Sequence, residues 1–117
     1  MHQYSLNQDS LWRINNMVIS FLKHPLYASY SIKKYVYDAE VGVHALEVSK
    51  NGKSINLFLF YPTLEGNIGS VAIYGLCLEG HLNAILSSMT AFGMPVDRAY
   101  IDRSGKSDFV DVYFLPY

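Results

Sequence analysis

Residues 43–61 read VHALEVSKNGKSINLFLFY, and this stretch decides the fold. At its centre, Asn51-Gly52 is the pair that a type I′ turn favours, because both turn positions take positive φ. The flanks alternate. His44, Leu46 and Val48 share one face of an incoming strand, Val43–Ser49. Ile55, Leu57, Leu59 and Tyr61 share one face of the returning strand, Ser54–Tyr61. Phe58 and Phe60 take the opposite face, so Asn56–Tyr61 is apolar on both sides. A strand of that kind belongs near the middle of a sheet. Pro62 stops it.

Upstream, Leu26–Val41 is predicted as a strand on the strength of Tyr27, Tyr30, Tyr35, Val36 and Tyr37, with its first half open to an extra helical turn. Before it, Leu11, Ile14, Val18 and Phe21 or Leu22 recur at helical spacing and predict a helix over Gln8–Lys23. Trp12, Met17 and Ile19 widen its apolar arc and predict burial over more than one stripe. Ser5, Asn7 and Asp9 are candidate N-caps, and His24-Pro25 ends the helix because a residue before proline avoids the α region. Residues 1–7 read as a flexible arm.

Downstream, Gly66-Asn67 is a turn, and Gly69–Leu78 reads as a strand in which Gly75 marks a bulge or a close backbone approach. Leu82, Ile85, Leu86, Met89 and Phe92 define a second helix, with Gly93 at the position after its C-cap and Pro95 beyond. A final hairpin, Val96–Arg103 and Asp108–Leu115, surrounds Ser104-Gly105-Lys106-Ser107. The order is α-β-β-β-β-α-β-β. Antiparallel hairpins with helices on one face predict a single-domain α+β two-layer sandwich over residues 1–117, with a mainly antiparallel sheet of five to six strands and two helices.

Bulk composition narrows function. Ten tyrosines stand in 117 residues, while only 16% of residues are charged. Tyrosine joins an apolar ring to one hydroxyl and suits half-dry surfaces such as protein interfaces. The net charge of −1 is spread so that no segment is basic enough to hold nucleic acid electrostatically. No apolar run approaches the length of a membrane span. Cys77 is the only cysteine and lies in the apolar run Ala72–Leu78, which predicts a small buried hydrophobe, with a reactive thiol as the alternative. Lacking an internal disulfide or a secretory leader, the chain is expected in the cytoplasm.

Motifs for chemistry are missing. His2, His24, His44 and His81 show no metal-ligand spacing, and Cys77 has no partner cysteine, so neither a metal nor a cofactor is expected. Neither a phosphate-binding glycine loop nor a Gly-x-Ser-x-Gly elbow occurs. Lys50 and Lys53 at one hairpin tip, with Arg103 and Lys106 at the other, read as ordinary solubilising loops. Both helices lack charge over long stretches, between Arg13 and Lys23 and from Gly80 through Val96. Such faces desolvate cheaply and could lie against each other, a second subunit or a partner.

The last hairpin carries the sharpest pattern. If Val110, Val112 and Phe114 face the core, Asp111 and Tyr113 point outward, with Tyr100 and Asp102 as cross-strand neighbours. Two carboxylates there could hold Mg²⁺ or form an acidic contact patch; a solvated strand face is the plain reading. The expectation is a non-enzymatic protein-binding module with Tyr35, Tyr37, Tyr100, Asp102, Asp111 and Tyr113 as its partner-binding residues. A small inhibitor or immunity-type protein that plugs a toxin or nuclease fits this size. The alternatives are a self-assembling subunit that dimerises through its charge-poor helices, and a small metal- or histidine-dependent hydrolase or ribonuclease using His44 or His81.

Overall fold

A computed structural model describes residues 5–23, 25, 29–75, 79–102 and 109–116. The element order is α1 (Gln8–Lys23), β1 (Ser31–Asp38), β2 (Val43–Lys50), β3 (Lys53–Pro62), β4 (Ile68–Gly75), α2 (Glu79–Ala91), β5 (Val96–Asp102) and β6 (Phe109–Phe114). The strands form one antiparallel sheet in the spatial order β1-β2-β3-β4-β6-β5. β3 and β4 are therefore the central pair, as the two-sided apolarity of residues 56–61 on β3 requires.

Local chemistry accounts for the element ends. Asn51 and Gly52 both have positive φ, 54° and 75°, and close the β2–β3 hairpin as a two-residue turn. Asn7 is the N-cap of α1: its Oδ1 accepts from the Ser10 amide at 2.8 Å. The same side chain donates to Asn67 Oδ1 at 2.9 Å, and Ser10 Oγ donates to the Gly66 carbonyl at 2.9 Å. Leu6 is buried in the core. Leu6 and Asn7, within the arm expected over residues 1–7, are therefore held by the fold, and residues 1–4 lie outside the described residues. α2 ends in a Schellman motif, with Met94 N–H donating to Met89 O, Gly93 N–H to Thr90 O, and Gly93 at φ 79°.

β1 is shorter than expected. Its end is set by Asp38, whose Oδ1 accepts from the amides of Glu40 and Val41 and whose carbonyl accepts from Gly42, turning the chain before Val41. Residues 26–28 at the other end of that expected strand, and 76–78 at the end of β4, lie outside the described residues. At Gly75, φ is 113° and a Cβ would run into the Ile55 carbonyl, so the close approach is real.

One face of the sheet is covered by the two helices. Phe58, Phe60, Val71, Ile73, Val110 and Val112 are fully buried beneath Ile14, Met17, Ile85 and Met89. Phe58 and Phe60 have ring centroids 6.3 Å apart, nearly parallel. Arg13 joins the helices, donating to the Gly93 carbonyl while it pairs with Asp9. The apolar arc of α1 is narrower than expected. Met17 is buried, but Trp12 and Ile19 are 59% and 52% exposed, because sheet and α2 touch α1 on one side only. Among the described residues no helix is long and apolar enough to cross a membrane.

Candidate functional site

The face turned away from the helices carries the candidate site. Register assigns its side chains in rows across the sheet. One row runs Lys33, Glu47, Leu57, Tyr74, Phe109, Asp102. The next runs Tyr35, Ala45, Leu59, Ala72, Asp111, Tyr100. A third runs Tyr61, Ser70, Tyr113, Arg98. Of the six residues expected to bind a partner, Tyr35, Tyr100, Asp102, Asp111 and Tyr113 fall on this face. Tyr37 sits at the β1 bulge between Val36 and Asp38 and is 58% exposed.

A second apolar cluster forms here. Val43, Ala45, Leu59 and Ala72 are buried, shielded by Tyr35, Leu57, Tyr61 and Phe109. Small residues on the central strands, ringed by aromatic ones, make a shallow depression of about 270 Å³. Its floor is Ser70 and Ala72; its walls are Tyr61, Tyr74, Phe109 and Tyr113, with Asp111 among them. Tyr74 and Phe109 rings lie 5.0 Å apart, and Tyr100 meets Tyr113 edge-on at 6.1 Å.

The polar groups are organised around Asp111. Tyr113 Oη donates to Asp111 Oδ2 at 2.9 Å, and that hydrogen bond, followed by the carboxylate's charge, holds the Tyr113 phenol above its usual pKa. Arg98 stacks its guanidinium over the Tyr113 ring, 5.3 Å from the centroid. Tyr61 is also raised, first by burial and then by Tyr74, Tyr37, Asp111 and Asp38. The surface is thus aromatic, weakly acidic in its centre, and already seen to accept a guanidinium.

The histidine alternative has a different setting. His44 lies on the helix-covered face, in a small cavity of about 40 Å³ with Leu11, Ile14, Asn15, Lys34, Leu46 and Phe60. Burial lowers its pKa, and the charged group beside it is Lys34, which donates to Asn15 Oδ1 at 2.8 Å, with no carboxylate in the lining. The His81 side chain, His2, His24 and Cys77 lie outside the described residues, as do Arg103, Lys106 and Asp108. Among the described residues no group of three or more His, Cys, Asp or Glu could hold a metal ion.

Sequence reasoning did not bring Tyr61 and Tyr74 onto this face, and it left Phe109 and Arg98, which alternation already sets beside Asp111 and Asp102, out of the partner-binding set. Tyr61 alternates with Leu57 and Leu59, but β3 is apolar on both sides, so alternation alone does not say which side the helices cover. Tyr74 and Phe109 come together only through the β4–β6 pairing, which needs the strand order. No protein-family model, no curated protein and no solved structure matches the chain.

Proposed function

We propose that this chain is a non-enzymatic protein-binding module, an inhibitor of immunity type that neutralises a partner enzyme by laying its open sheet face over that enzyme's cleft. One observation carries the reading: among the described residues, no helix covers the sheet face that bears Tyr35, Tyr61, Tyr74, Tyr100, Tyr113 and Phe109. Tyrosine supplies contact area at low entropic cost, and aromatic anchors dominate interface energetics. Asp111 and Asp102 match the cations that surround a nucleic-acid-processing active site, and Arg98 over the Tyr113 ring is an internal example of a cation held by one of the tyrosines. The single cysteine, Cys77, suits a reducing compartment such as the cytoplasm.

The test is co-expression with the product of the adjacent gene, followed by calorimetric titration. A stoichiometric complex is expected. Tyr113→Ala and Asp111→Ala should each weaken it by about 2 kcal/mol or more if they are hot spots. Trp12→Ala, on the helical side, should leave it unchanged. Equal affinity for wild type and both face variants rejects this surface.

A further inference from the structure

The sheet ends in two unlike edges. β1 presents Lys33 and Lys34, both exposed, and a bulge between Val36 and Asp38. Edge lysines and bulges discourage pairing with another chain, and antiparallel self-pairing centred on these residues would set lysine beside lysine. β5 is built otherwise. Residues 97–102 are all exposed, including Tyr100 at 59% and Ile101 at 48%, with neither lysine nor proline among them. Its bulge lies at the start, between Val96 and Arg98, so Arg98–Asp102 keeps unbroken register with β6. That leaves Arg98–Ile101 as a regular, exposed stretch at the outer edge of the sheet.

We propose that β5 pairs antiparallel with β5 of a second copy, about a two-fold axis at Tyr100. Tyr100 then lies opposite itself, Ala99 opposite Ile101, and Arg98 opposite Asp102 of the second copy, twice over by symmetry. Directly opposed side chains lie about 5 Å apart at Cβ, close enough for each Arg98 to meet a carboxylate. Other arrangements lose this match. Parallel pairing sets Arg98 against Arg98 and Asp102 against Asp102. A one-residue slip turns the second sheet over and opposes Arg98 with Ile101. In the matched register both open faces point the same way, and the two tyrosine surfaces join into one. The contact is small and at the weak end of interface sizes, so the dimer depends on concentration. It stands independently of the function proposed above, and it uses the sheet edge rather than the charge-poor helices.

Sedimentation equilibrium over a concentration series tests it. Wild type should associate to a dimer. Arg98→Asp and Asp102→Arg, each placing like charges opposite one another, should weaken association tenfold or more. The double variant Arg98→Asp/Asp102→Arg should recover it. Circular dichroism controls for folding, and amide exchange at Ala99–Ile101 should slow as wild-type concentration rises. A wild-type monomer at every concentration, a dimer indifferent to the single reversals, or a double variant that stays monomeric would each overturn the proposal.

Discussion

The β2–β3 and β5–β6 hairpins use the same element in opposite ways. Each joins two antiparallel strands, yet β2–β3 has neighbours on both sides while, among the described residues, β5 has one on one side only. Phe58 and Phe60 in the central hairpin are fully buried, whereas residues 97–102 of the outer one are all exposed. β6 stands between these extremes, alternating buried Val110, Val112 and Phe114 with half-buried Phe109, Asp111 and Tyr113. Stability therefore concentrates in one hairpin and surface chemistry in the other.

Core deletion should break the comparison most visibly. Phe60→Ala should cost about 3–5 kcal/mol in urea denaturation, the usual range for a buried phenylalanine. Tyr100→Ala should stay within about 0.5 kcal/mol, as exposed substitutions do. Similar losses for both would mean that the outer hairpin is as deeply built in as the central one.

Next in size is a pair of glycine substitutions. Gly75→Ala must place a methyl against the Ile55 carbonyl at φ 113°, so a loss of about 3 kcal/mol is expected. Gly52→Ala has comparable positive φ but open space around the added carbon, and should cost about 1 kcal/mol. Thermal melts of the two variants separate backbone strain from steric collision.

The smallest effects are electrostatic, and they divide between the hairpins by pH. His44 on β2 has a pKa below its ordinary 6.5, so its contribution is present above pH 6.5 and is lost as pH falls through the lowered value. His44→Gln should flatten that acid limb in a stability-versus-pH series. Tyr113 on β6 has a pKa above its ordinary 10.0, so its contribution is complete below pH 10 and fades as pH rises through the raised value. Asp111→Asn should bring the Tyr113 transition back toward 10.0, followed by ultraviolet phenolate absorbance with Tyr113→Phe to assign the signal.

Much of the architecture was legible because local rules and packing agree. The turn at Asn51-Gly52, the span of α1, and Gly93 after α2 each follow from residues within a few positions. The outward set Tyr100, Asp102, Asp111 and Tyr113 followed from alternation against Val110–Phe114, and pairing places Tyr100 beside Asp111 as expected, whereas Asp102 lies opposite Phe109 and Tyr113 opposite Arg98. What escaped depends on distant partners. The end of β1 turns on how Asp38 folds back on its own backbone, a choice that a tyrosine-rich run conceals. Exposure of Trp12 and Ile19 reflects how little of α1 the sheet and α2 can cover, which no helical period reveals. The aromatic basin needed the strand order, since Tyr61, Tyr74 and Phe109 sit on three strands.

The clasp between α1 and the turn before β4 bears on how the chain acquires its shape. Ser10 is anchored to Gly66, 56 positions later, and Asn7 to Asn67. During ribosomal synthesis the helix emerges well ahead of its mooring, and closing so long a loop is slow compared with forming a local turn. Its docking must therefore await the middle of the polypeptide, and until then its apolar stripe is left for chaperones or neighbouring chains to meet.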